Sequence, residues 1–266
     1  MTALVLTALA GTAQASAFFP TFNQGALQRN ATLPALGEAH VLAPGDSSWY
    51  GAVDLTTEYY SDANTTESVL EDGESTRIAL SYRGGFEGGW EWNAQLPVLV
   101  LGGGFLDSMI EGWHDTFGLP NGGRELAARD QYHYRYVRGG ATLLDVTDSG
   151  TQLGDLRLGA GWRLNDVSVL RSQLKLPTGE GGKLGGGNTG LALWLDHALG
   201  FAPGSHWSGY VSAGGSWSDE SDVLPQLQQQ GAGFGGVGLS YRATDALSLT
   251  SQPYAHTALF KDTELN

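Results

Sequence analysis

The chain has 266 residues and no cysteine, and its 14 Lys plus Arg against 28 Asp plus Glu give a formal charge of −14. That balance argues against a nucleic-acid-binding surface, and the missing thiols exclude disulfides, thiolate metal sites and a cysteine nucleophile. Only 16% of residues are charged, against about a quarter in a typical soluble domain, and after the first few positions no run of about 18 apolar residues exists to cross a membrane as a helix.

At the N-terminus, Ala3 to Leu9 forms a short apolar segment, and Ala15, Ser16 and Ala17 form a small-residue cleavage site. Residues 1–17 therefore read as a signal peptide, with a mature chain from Phe18. The basic segment that should precede the apolar one is missing, so Met1 reads as an internal start on a longer precursor. A polar, Asn-containing stretch with Pro20 and Pro34 follows.

Eleven strands with a two-residue apolar period come next. Their approximate bounds are 49–59, 74–83, 88–98, 130–137, 140–147, 153–164, 166–176, 189–199, 206–217, 231–242 and 245–257. In one of them Leu156, Leu158, Ala160, Trp162 and Leu164 alternate with Arg157, Gly159, Gly161 and Arg163, so one face is apolar and the other polar. Trp207 and Trp217 share the parity of Val211 and Ala213 and bracket about ten residues, the length of a tilted membrane-crossing strand with aromatics at both interfaces. The joins alternate short (84–87, 138–139, 165, 200–205, 243–244) and long (60–73, 99–129, 148–152, 177–188, 218–230).

Tight turns on one side and longer loops on the other are the connectivity of a bacterial outer-membrane barrel. The predicted fold is thus all-β, an antiparallel transmembrane β-barrel over residues 18–266 in the outer membrane. Eleven is an odd number where single-chain barrels have even counts, so the expectation is about twelve strands with the last one missing from this chain. A ten-strand barrel with one strand miscounted is the alternative.

Strand parity assigns the interior side chains. The lumen-lining candidates are Asp54, Glu58, Arg77, Glu91, His133, Arg135, Arg157, Arg163, Arg171 and Lys175, with Arg83, Asn93, Gln95 and Gln173 beside them. Such a mixed-charge lumen can be a water-filled path or a ladder of ion pairs that closes it. The longest loop carries the only strong helix signal. Phe105, Leu106, Met109, Ile110, Trp113 and Phe117 form an apolar arc, and Asp107, Glu111, His114 and Asp115 form a polar one. Gly118, Leu119 and Pro120 end the helix.

The run from Phe105 to Arg124, the opening Phe19-Pro20 with Asn23-Gln24, and Lys175 followed by Leu-Pro-Thr-Gly179 resemble the bacterial domain-of-unknown-function family numbered 3187. The resemblance implies a Gram-negative outer-membrane barrel and no assigned activity. The Leu-Pro-Thr-Gly pattern is also similar to barrels linked to uptake of aromatic compounds, such as the phenol-degradation-pathway family.

No enzyme signature stands out. Asp107, Glu111 and His114 have metal-ligand spacing, but an amphipathic helix needs a polar face in any case and no second ligand cluster accompanies it. His133 and His256 are present without a Gly-x-Ser-x-Gly nucleophile elbow. The Gly179–Gly187 run has Leu184 where a phosphate loop needs Ser or Thr. No cofactor or metal is expected. Acidic loops at 61–74 and 219–222 could share divalent cations with lipopolysaccharide phosphates, and otherwise are solvated.

The expected partners are membrane lipids, lipopolysaccharide and a small solute. The leading expectation is a passive pore whose helix at 105–117 caps the mouth. A structural or adhesive barrel with a plugged lumen is second and a membrane-embedded hydrolase third.

Overall fold

A computed structural model describes residues 18–20, 22–37, 39–121, 123–124, 127–263 and 265; the predicted signal peptide at 1–17 lies outside them. The strands are β1 (Ser47–Ala63), β2 (Glu67–Phe86), β3 (Trp90–Gly102), β4 (His133–Arg138), β5 (Ala141–Val146), β6 (Gly150–Leu153), β7 (Leu156–Asn165), β8 (Ser168–Leu176), β9 (Gly190–Ala198), β10 (Trp207–Ser218), β11 (Gly231–Arg242), β12 (Ser248–Ser251) and β13 (Tyr254–His256). One helix, α1 (Asp107–Phe117), lies between β3 and β4. All pairings are antiparallel and belong to one sheet. No described helix is long and apolar enough to cross a membrane.

The all-β antiparallel class with a single helix stands as expected, and the eleven strands read from the sequence are all present, but two of them are not part of the wall. β3 pairs directly with β7 and β6, while β4 and β5 form a hairpin along residues 67–72 of β2. β6 with β7, and β12 with β13, are single strands interrupted at 154–155 and 252–253. The wall therefore has nine passes, running from β1 through β2, β3, β6/β7, β8, β9, β10 and β11 to β12/β13. Among the described residues β1 bonds only to β2, and β12/β13 only to β11, so the sheet is open at both edges.

The join expected at 60–73 is also different. β1 and β2 run on for 17 and 20 residues and turn at 64–66, where Asn64 Oδ1 accepts from the backbone N–H of Thr66 and Glu67. The acidic side chains read there as loop residues are strand residues, and Glu71, Asp72 and Glu74 are buried.

Burial follows the two-residue period. Ile78, Leu80, Leu96, Trp162, Leu191, Leu193, Leu195, Val211, Trp217, Val237 and Leu239 are exposed along the outward face, whereas Asp54, Glu58, Arg77, Glu91, Arg171, Lys175 and Asp196 are buried on the other. This inverts the pattern of a soluble protein and is what a sheet facing hydrocarbon requires. Aromatic pairs mark one end of the wall: Trp49 with Tyr82, Tyr82 with Trp92, Trp90 with Trp162, and Trp207 with Tyr241.

Candidate functional site

The described residues of the stretch 18–46, polar and without strand periodicity in the sequence, occupy the interior. Phe19 exchanges two hydrogen bonds with the side chain of Gln252, and Asn23 bonds His256 at 2.9 Å. The chain then turns through a short 3-10 helix at Leu27–Asn30. The Ala26 N–H at its start donates to both carboxylate oxygens of Glu58, at 3.1 and 3.0 Å, as expected for an anion at the positive end of a turn.

Lys175 donates to the Asn30 carbonyl and Arg157 to the Leu33 carbonyl. Ser218 holds Thr32 through both its N–H and its hydroxyl. Arg83 and Arg171 both donate to the His40 carbonyl, and Glu91 accepts from Leu42 N–H at 2.9 Å. One segment thus touches β1, β2, β3, β7, β8, β10 and β13, which is feasible only because the wall curls around it. Leu27, Leu33 and Leu36 join an apolar cluster with Trp194, Phe234, Leu224, Leu227, Leu259 and Phe260. The segment is therefore a plug packed by both polar and apolar contacts.

The wall side chains form networks of their own. Glu91 on β3 pairs with Arg83 at 2.8 Å and Arg171 at 2.6 Å, and Arg171 Nε reaches Asp196 at 2.9 Å. Asp196 also accepts from Trp194 Nε1 and the Ser212 hydroxyl. Glu91 and Arg171 meet across the intervening β7 because Gly161 stands between them; a Cβ there would lie 2.9 Å from Arg171 Nη1. Arg77 pairs with Asp54 at 2.7 Å and donates to Gln95.

Lys175, fully buried, bonds Asp155 at 3.0 Å and Asn188 at 2.6 Å. Asp155 in turn accepts from the N–H groups of Gly179 and Gly187. In the Leu-Pro-Thr-Gly stretch, Thr178 donates to the Gly154 carbonyl and accepts from Leu156 N–H. That motif therefore closes the interruption between β6 and β7.

Of the candidates read from parity, Asp54, Glu58, Arg77, Glu91, Arg157, Arg171 and Lys175 lie on the inner face with the contacts above. Arg163 has the same parity but is exposed beside the turn at Gly89. His133 and Arg135 lie on the other face of β4, where His133 bonds Asp145 at 2.8 Å and Arg135 is exposed. The buried side of β4 is tyrosine: Tyr134 donates to Glu58 at 2.8 Å and Tyr136 to Glu67. Parity assigned from charge went astray here because a tyrosine is apolar in body and polar at its tip, so it suits a polar interior.

The helix differs from the expected cap in place and in orientation. Asp107 and Glu111 are buried and pair with Arg124 and Arg129, while His114 bonds Asn121 and Asp115 is exposed. Most of the apolar arc points away from the protein: Phe105, Met109, Trp113 and Phe117 are 65%, 53%, 59% and 59% exposed, while Leu106 is buried and Ile110 half-buried. Glu74, which accepts from Phe105 and Leu106 N–H, has the outward parity of Ile78 and Leu80. Tyr59, beneath Arg124, has that of Val53. The excursion thus packs on the outside of the wall, about 20 Å along the barrel axis from the Tyr82 level (eight residues at about 3.3 Å rise, tilted about 40°).

An amphipathic helix at that depth suits the outer lipid boundary. Since the chain has no cysteine, a Met109→Cys variant can carry a single environment-sensitive dye. Its emission in vesicles is expected to be blue-shifted and quenched by lipids brominated on the acyl chain; unquenched, water-like emission would place the helix off the bilayer.

No group of three or more His, Asp or Glu side chains among the described residues is placed to hold a metal ion. His114, His133 and His256 are bonded to Asn121, Asp145 and Asn23 at separate places. Ser168 lies 2.9 Å from His197 Nδ1, but no carboxylate orients that ring among the described residues.

Fold and interior together define a class: a curled antiparallel sheet of β-barrel type with an apolar outer face and a polar inner face filled by the chain's own N-terminal segment. The chain belongs to the family described as protein of unknown function (DUF3187), whose model matches residues 1–265. No curated protein matches it. Among solved structures it is similar to the COG4313 outer membrane channel from Pseudomonas putida F1, at 14% identity over 83% of this chain and 75% of that one, with a TM-score of 0.47.

Proposed function

We propose that the protein is an outer-membrane barrel of a Gram-negative bacterium that passes a small solute when residues 18–46 move, and that it is a channel rather than an enzyme. The observation that carries this reading is how the plug is held. Wall side chains from seven passes bond mostly to its backbone. Each such bond, made by a charged side chain, can be exchanged for one to water at a net cost of about 1.5–3 kcal/mol, so a polar seam of this kind can hydrate and open one contact at a time. Helix α1 lies outside the wall and plays no part in closing the lumen.

A second reading, a structural barrel closed for good, is favoured by the apolar cluster that ties Leu27, Leu33 and Leu36 to the loops and to Leu259 and Phe260. Single-channel conductance of the full-length protein in a planar bilayer separates the two. The wild type is expected to open rarely, a variant lacking residues 18–42 to conduct steadily, and a variant lacking 103–124 to match the wild type. A plug-deleted barrel that folds and inserts yet stays silent would overturn the channel reading.

A further inference from the structure

Between the plug and the wall lies a small cavity lined by Phe22, Gln24 and Arg29 from the plug and by Arg77, Pro97, Leu99, Asp155 and Arg157 from the wall; its volume of about 40 Å³ holds about three waters. Three guanidinium groups border it, and their partners do not balance them. Arg77 has Asp54. Arg157, which has five N–H donors, makes one hydrogen bond, 2.8 Å to the Leu33 carbonyl. Arg29 bonds the Ser75 hydroxyl at 2.5 Å and the Leu184 carbonyl at 3.2 Å. Neither Arg29 nor Arg157 has a carboxylate within 4 Å among the described residues, and the Asp155 carboxylate is held by Lys175. Two guanidinium groups without a direct ion pair therefore border the space, with Glu58 the next carboxylate to Arg29 and Asp155, shared with Lys175, the next to Arg157.

The rest of the lining decides what kind of anion fits. Arg77 and Arg157 both lie over the Phe22 ring, at 5.1 and 5.3 Å from its centroid, and Pro97 and Leu99 add an apolar wall. A fully hydrated inorganic anion gains nothing from that side, whereas an organic acid presents oxygens to the guanidinium forks and carbon to the ring.

We propose that this cavity is a binding site for a compact organic carboxylate, held by Arg157 and Arg29 with its carbon end against Phe22, Pro97 and Leu99. Because Phe22, Gln24 and Arg29 of the lining belong to the plug and the rest to the wall and its loops, a bound carboxylate bridges the two. As a statement of which solute class enters the barrel the inference rests on the channel reading; as a statement of binding it does not.

Isothermal titration of the full-length protein in detergent micelles with sodium acetate, at constant ionic strength set by sodium chloride, tests it. Saturable acetate binding is expected, weakened at least tenfold in Arg157→Gln and unchanged in Arg163→Gln, which removes an exposed charge from the same strand. Arg29→Gln, on the plug and outside the wall fold, gives a second variant should Arg157→Gln fail to fold, with the same tenfold loss expected. Absence of saturable acetate binding, equal loss in Arg163→Gln, or equal binding of inorganic phosphate would each overturn the carboxylate assignment. Acetate binding in a protein whose plug-deleted form never conducts would leave the site standing and remove the channel reading alone.

Discussion

Glu91→Gln is expected to lower the stability of the folded protein by about 3–5 kcal/mol, because it removes the fully buried carboxylate that Arg83 and Arg171 share. Glu91 is 1% exposed and joins Arg83, Arg171 and the Leu42 N–H of the plug. Its amide replacement keeps the volume and loses the charge, so the change isolates electrostatics from packing. Urea unfolding in vesicles, followed by the shift of heat-modified migration on gels, reads the effect. Adding Arg171→Met to Glu91→Gln is expected to return less than the full loss, since Asp196 then stands without its guanidinium. A loss below about 1 kcal/mol, the range of solvated ion pairs, would mean that the interior is wet at this level and that these charges are screened.

Lys175→Met should cost a similar amount, about 3–5 kcal/mol, and act on a different part of the protein. The ammonium is fully buried and ties together the wall carboxylate Asp155, the loop side chain Asn188 and the plug carbonyl of Asn30. Methionine fills the space but leaves Asp155 a buried anion held only by the backbone N–H groups of Gly179 and Gly187. The same substitution frees the plug at one anchor. Protease access to residues 18–46 should therefore rise in Lys175→Met, while Arg163→Gln should leave it unchanged. If cleavage in the plug is equally slow in both, Asn30 is held mainly by the apolar packing of Leu27 and Leu33.

The outward and inward faces of β3, β7, β8, β9, β10 and β11 were legible from a two-residue period, because in a sheet the environment of a side chain is set by its own parity along the strand. The same rule read the inner charges on β1, β2, β3, β7 and β8. It failed on β4, where Tyr134 and Tyr136 satisfy a polar interior without charge, and at 61–74, where Glu71, Asp72 and Glu74 looked like solvated loop residues. Glu71 pairs across the sheet with Tyr134, Asp72 lies near Arg124, and Glu74 holds the N-terminal end of α1, none of which lies near them in the chain. No local signal marks such contacts. In α1 the amphipathic period was plain, but which arc faces the protein was not: an apolar arc turns inward in water and outward in lipid, and that choice is made by the solvent around the helix.

By itself the sequence determined the strands, the face that each strand of the wall presents and the barrel class, since these follow from local periodicity and from the length needed to cross a bilayer. Only the tertiary structure decided that β4 and β5 leave the wall, that α1 lies outside it, and that residues 18–46 fill the interior. Those outcomes rest on pairings between residues as far apart as Phe19 and Gln252, or Arg157 and Leu33. The plug has no period of its own, because it is an irregular chain satisfied by side chains of a wall that forms around it.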